Sequence, residues 1–199
     1  MHIPGPGRTP FVGVAHHSMI MVRVFIALEL PQEMQDTIAE AQETLRGTRA
    51  RLTFVSPRLI HITLKFLGEV EERQIPDIVS AMRSVKFSPY DITIRSIRGN
   101  NRSRPRVIWG VAEDEGRSAA LAGLLEDALE PLGFEREDRP FTPHATLARV
   151  REFHPALSER MQGLSEFPCG CCTITSMKLK KSVLTPEGPV YTDIAEAPF

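Results

Sequence analysis

The chain has 199 residues, a net charge of −1, 42% hydrophobic and 25% charged residues. That suits one compact domain, or two small lobes sharing a core, and excludes a global field that draws a protein to long nucleic acid or an anionic membrane. No apolar run approaches the roughly 18 residues of a membrane-spanning helix, and a nucleic-acid substrate would be met by a few local groups.

The opening "MHIPGPGRTPFVGVAHHSMI" lacks the basic start and apolar stretch of a secretory signal. It is expected to be a flexible extension over residues 1–20, or an upstream start, ahead of a single domain over 21–199. His2, His16 and His17 read there as bystanders rather than metal ligands. The expected location is cytoplasmic and the expected state a monomer.

"RVFIALEL" (23–30) is a β-rich apolar run. Pro31 ends it and opens a helix, in which Met34, Ile38, Ala41 and Leu45 make one apolar face before Gly47. Ser56-Pro57 divides the next stretch into a short piece and a strand at about 60–67. A helix fits 71–84, and "DITIRSI" (91–97) is an alternating strand. "RGNNRSRPR" (98–106) is a turn-rich basic loop, followed by a returning strand over 106–112 in which Trp109 reads as core. A strong helix covers 117–133, a strand 141–150 and a shorter helix 154–164. Two closing strands fit about 171–184 and 189–195, with the turn "TPEGP" between them. No glycine-rich nucleotide fingerprint occurs. The expected fold is α+β and bilobal: two pseudo-symmetric lobes, each a small mostly antiparallel sheet backed by helices, with a cleft between them.

Three cysteines, Cys169, Cys171 and Cys172, all lie in "CGCC". An odd, clustered set does not build a disulfide framework, and a structural zinc site needs further ligands. They read as small residues entering a strand.

"HITL" at 61–64 recurs as "HATL" at 144–147. One copy carries little information. On ordinary residue frequencies a chance second copy is on the order of one in a thousand. Side chains i and i+2 share a strand face. His61 and Thr63 therefore point one way, with Ile60, Ile62, Leu64 and Phe66 expected on the other face. His144 and Thr146 repeat this, with Ala145 and Leu147 opposite. Two imidazoles titrating near neutrality can supply one base and one acid. Two hydroxyls can donate to phosphate oxygens, so the set suits in-line phosphoryl transfer without metal.

"RVFIAL", "HITLKFLGEV", "PHATLARV" and "LTPEGPVY" resemble the two-histidine phosphoesterases, in their RNA 2′,3′-cyclic phosphodiesterase (2′-5′ RNA ligase-like) branch. The resemblance covers about residues 23–191. It implies a bilobal α+β fold and metal-independent hydrolysis of a 2′,3′-cyclic phosphate, on RNA ends or small nucleotides, to a 2′-phosphate, with no cofactor. It further implies that His61 is the proton donor, His144 the proton acceptor, and Thr63 and Thr146 the phosphate holders. The residues themselves do not separate donor from acceptor. The alternatives are 2′-5′ RNA ligation, the reverse reaction, and a non-catalytic RNA- or nucleotide-binding module.

Some positions keep two readings. Arg149 matches a substrate-binding arginine of the family, yet strict alternation sets it opposite His144 unless a bulge turns it inward. Phe25 either stacks a base or fills the core. Arg102, Arg104 and Arg106 either guide an RNA end or form a solvated turn. Lys178, Lys180 and Lys181 face either the cleft or water.

Overall fold

The computed structural model describes residues 20–199. The expected extension over 1–20 lies outside them except for Ile20, whose carbonyl accepts from the Glu72 amide. In chain order the strands are β1 (Met21–Glu29), β2 (Arg51–Phe54), β3 (His61–Glu71), β4 (Tyr90–Gly99), β5 (Val107–Glu113), β6 (His144–Glu152), β7 (Gly170–Ile174), β8 (Ser176–Thr185) and β9 (Gly188–Pro198). The helices are α1 (Gln32–Arg46), α2 (Ile75–Ser84), α3 (Arg117–Leu129) and α4 (Ala156–Gln162).

All strand pairs are antiparallel, in the order β7-β4-β5-β6-β3-β1-β8-β9, with β2 beside β6. The β6–β3 seam divides this order into two halves of four strands. Lobe one is β3-β1-β8-β9 and lobe two is β6-β5-β4-β7. The seam is a single pair, Ile62 with Ala145. Beyond it β6 pairs instead with β2, so the motif strands part and a cleft opens.

The lobes are two, but neither is one half of the sequence. α1 leaves β1 of lobe one and packs against β6, β7 and α4 of lobe two. α3 leaves β5 of lobe two and packs against α2 and β3 of lobe one. Each apolar helix face thus covers the partner lobe's sheet. Ile38, Ala41 and Leu45 of α1 and Leu121 and Leu125 of α3 are fully buried. The buried apolar side chains form one contiguous cluster across both lobes.

The single strand expected at about 171–184 is two strands. Thr175 alone joins β7 of lobe two to β8 of lobe one. In the sheet order six steps separate these strands, about 29 Å if flat. Two consecutive Cα–Cα links span at most about 7.6 Å. The sheet must therefore curl until its two halves meet at Thr175. There Tyr90 and Phe199 stack and Phe87 packs edge-on to both.

Cys169 is buried and free, Cys171 is exposed and Cys172 is half-buried. Burial pushes the Cys169 and Cys172 thiols up to about 11, so both behave as the small apolar residues the sequence suggests. No helix among the described residues is long and apolar enough to cross a membrane.

Candidate active site

The seam sets the site. Continuing the Ile62–Ala145 register by one residue each way puts His61 opposite Thr146 and Thr63 opposite His144. The histidines are then diagonal neighbours, about 7–8 Å apart where ladder spacing holds, and the charge of His144 acts on His61. Ile62 and Ala145 are fully buried beneath them. The structure brings all four motif residues to one face of the sheet.

Each imidazole is pinned in the same way. His61 Nδ1 lies 2.7 Å from the Leu59 carbonyl, and His144 Nδ1 lies 2.7 Å from the Thr142 carbonyl. A carbonyl only accepts, so both Nδ1 atoms carry the proton and both Nε2 atoms are left for chemistry. His61 Nε2 is 3.0 Å from Thr63 Oγ1, whose hydroxyl donates to it in the neutral ring.

The surroundings differ. The His61 ring stacks on Phe25 at 4.9 Å and meets the edge of Tyr191 at 5.5 Å. Burial holds its pKa below the ordinary 6.5. The Leu59 carbonyl opposes that shift, Lys180 and His144 add to it, and Glu29 offsets it. His144 is more open and packs at 4.3 Å on Trp109. Trp109, expected in the core, is only partly buried, because its register partner Thr146 sets it on the cleft face.

Beside His61, Lys178 and Lys180 each bridge Glu29 and Asp193, at 2.5–2.9 Å. Burial works against ionisation of Glu29 and Asp193, but the two ammonium groups outweigh it and hold both carboxyls low. Two of the three lysines therefore face the cleft, already neutralised. Lys181 pairs with buried Val24 and so shares the opposite face.

Strict alternation fails just after each motif, at matching places. In β6 the register runs from Trp109–Thr146 to Ile108–Ala148, so Leu147 is an extra residue. The bulge restores Arg149 to the face of His144 and Thr146. In β3 the register runs from Ala27–Thr63 to Ile26–Lys65, so Leu64 is the extra residue. Lys65 therefore turns into the core, and Phe66, expected inside, turns out into the cleft at 62% exposure. Phe25 in turn is only 3% exposed, with its ring under His61. The open aromatic on this wall is Phe66.

Gln42 holds the bulge at Leu147. Its buried Nε2 donates to the Leu147 carbonyl at 3.0 Å and to Val55 at 2.7 Å, and the Val55 amide also donates to Leu147. A bulge leaves backbone groups off the ladder, and these bonds satisfy them. Sequence reasoning passed over Gln42. Its signal was an amide at a position between Ile38 and Leu45 that joins the buried face of α1.

The basic loop is a built turn. Asn100 Oδ1 accepts from the amides of Arg106 and Val107, and Asn101 Oδ1 from those of Ser103 and Arg104. Arg102, Arg104 and Arg106 stay exposed. Among the described residues no group of three or more His, Cys, Asp or Glu is placed to hold a metal ion.

A two-lobed α+β fold with a His-x-Thr pair on each side of one seam defines a phosphoesterase architecture. The family model described as LigT like Phosphoesterase matches residues 28–109 and 111–191, and the chain belongs to this family. An Archaeoglobus fulgidus protein named RNA 2′,3′-cyclic phosphodiesterase is 32% identical over 174 residues, which is 87% of this chain and 98% of the relative. A Thermus thermophilus protein of the same name is 35% identical over 86% of this chain and 87% of its own length. The crystal structure of TT0787 of Thermus thermophilus superposes with a TM-score of 0.76 at 32% identity, over 88% of this chain and 97% of that one. E. coli LigT complexed with 3′-AMP shares the fold, with a TM-score of 0.75 at 23% identity over 90% and 99% of the two chains.

Proposed function

We propose that this protein hydrolyses 2′,3′-cyclic phosphates on RNA ends or small nucleotides to 2′-phosphates. The juxtaposition of two His-x-Thr tripeptides across the Ile62–Ala145 seam carries this reading. Their relatives' shared name, RNA 2′,3′-cyclic phosphodiesterase, supports it. His144 Nε2 takes a proton from water as its oxygen attacks phosphorus. The bond from phosphorus to the 3′ oxygen breaks, and His61 Nε2–H delivers a proton to that oxygen. Thr63 and Thr146 donate to the non-bridging oxygens, where charge accumulates. Arg149 reaches the same anion, and Phe66 with Tyr191 offers an apolar wall to the nucleoside. One chain supplies both halves of the site, so a monomer suffices.

The test is hydrolysis of a mononucleoside 2′,3′-cyclic phosphate followed by ³¹P NMR. A 2′-phosphate product and undiminished rate in EDTA are expected. A 3′-phosphate product, or loss of activity in the chelator, overturns the scheme.

The pH dependence has a defined sign. As donor, His61 must hold a proton, and its pKa lies below 6.5 in the free protein. The limb of kcat/KM governed by His61 therefore falls off below pH 6.5 as pH rises. Lys180→Met removes an adjacent positive charge and leaves Glu29 less neutralised. Both changes favour the imidazolium, so this limb moves to higher pH. A limb that stays fixed or moves lower detaches it from His61.

A further inference from the structure

The cleft face of lobe two continues past the site. Trp109 stands opposite Thr146, and Arg98 of β4 stands opposite Trp109. At about 4.8 Å per strand, Arg98 starts about 10 Å from Thr146. Arg98 is exposed and borders two hollows, one of about 610 Å³ along β4 and one of about 530 Å³ between the β4–β5 turn and α4, both also bordered by Ser165. The first is electrostatically mixed, with Arg95 beside Glu113 and Glu166. The second has only Arg98 and Arg102 as charged groups, with the amides of Asn101 and Gln162. Among the described residues Arg95, Arg98 and Arg102 take part in no ion pair.

Lobe one has a different character at the same distance from the seam. Its cleft-facing Lys178 and Lys180 are spent on Glu29 and Asp193, Arg23 stands exposed on the β1 wall where it acts on Tyr191, and the exposed apolar groups are Phe66 of β3 and Leu184 of β8. An apolar wall takes a base, whereas unpaired guanidinium groups take phosphate. A polynucleotide with its cyclic end at the seam therefore has a cationic exit over lobe two, along Arg98 and Arg102.

We propose that this face is a lead-in for single-stranded RNA. The phosphate preceding the cyclic end lies on Arg98, its nucleoside covers Trp109, and the chain runs on toward Arg102. This rests on the cyclic-phosphate reading above and makes an RNA end, rather than a free mononucleotide, the preferred substrate class.

Arg98→Ala separates the two substrates. On a short oligoribonucleotide with a 2′,3′-cyclic end, kcat/KM falls by roughly tenfold or more, while turnover of 2′,3′-cyclic AMP is unchanged. The salt dependence of oligonucleotide binding loses about 0.7 from its log–log slope, as for one phosphate contact on a single strand, and Arg98→Lys restores part of it. Equal losses on both substrates, or none on the oligonucleotide, overturn the lead-in. Failure of the unaltered protein to turn over either substrate refutes the cyclic-phosphate reading instead. In that case anisotropy of a labelled oligonucleotide with a 2′-phosphate end still decides, because equal Kd for the unaltered protein and Arg98→Ala removes the track.

Discussion

Alanine at His61 or His144 is expected to slow cyclic-phosphate hydrolysis by about 10²–10⁴-fold, the usual worth of one general acid or base. The two changes together are expected to cost little more than the worse single change. Donor and acceptor act in the same transition state, so losing one already forfeits most of what the other supplies. His144 is the cleaner test, since its ring is more open and its removal disturbs mainly Trp109. His61 fills space between Phe25 and Tyr191, so His61→Gln should accompany His61→Ala to keep bulk in place. Single-turnover rates on a mononucleoside 2′,3′-cyclic phosphate, with a thermal melt of each variant, give the comparison. Near-normal hydrolysis by a folded variant removes that histidine from the chemistry.

The four motif residues are legible in the sequence because they obey the simplest rule of a strand, alternation over three positions. The face assigned to His61, Thr63, His144 and Thr146 needs no knowledge of any partner. Two positions further on the rule breaks. Whether Leu147 is an extra residue depends on Gln42, which lies 105 residues away and bonds the carbonyl that the bulge frees. No local pattern encodes that contact. Arg149 therefore keeps two readings until the β5–β6 register decides its face, and Phe66 and Trp109 invite the wrong side altogether.

The lobes show the same limit at larger scale. Helix periodicity finds α1 and α3, but nothing in their apolar faces says which sheet they cover. The division at Thr175 is also silent, because no glycine or proline marks it between β7 and β8. What enforces it is global: β7 finds the edge of β4 and β8 finds β1. The pseudo-symmetry then has a chemical consequence. Equivalent bulges place Phe66 on one wall and Arg149 on the other, so a symmetric frame carries an apolar side and a cationic side. A nucleotide phosphate, apolar at its base and anionic at its phosphorus, fits such a frame in one orientation.

Glu126→Leu is expected to destabilise the fold by about 3–5 kcal/mol, through a charge left buried without its partner. The bulge at Leu64 turns Lys65 into the core, where it is 5% exposed, and the side chain of Glu126 from α3 is 13% exposed. The ammonium is saturated: Nζ donates to Glu126 Oε1 at 2.8 Å, to Oε2 at 3.0 Å and to the Glu135 carbonyl at 2.5 Å. Leucine removes two of these three acceptors and, among the described residues, the only closely held countercharge, since Glu137 stands 3.9 Å away and is mostly exposed. In a domain of this size the loss corresponds to roughly 6–20 °C in Tm. Lys65→Met together with Glu126→Leu should return most of that stability, because a packed apolar pair avoids the desolvation cost that the ions must offset. Urea melts of the single and double variants separate the two cases. If Glu126→Leu costs less than about 1 kcal/mol, Lys65 escapes to water on its own. The strand phase that sets Phe66 in the cleft would then not depend on this anchor, and activity in the double variant reports the same thing independently. A rescued fold with an unchanged KM for the mononucleotide means that any side chain filling the Lys65 site keeps Phe66 outward, and that the ion pair itself is dispensable.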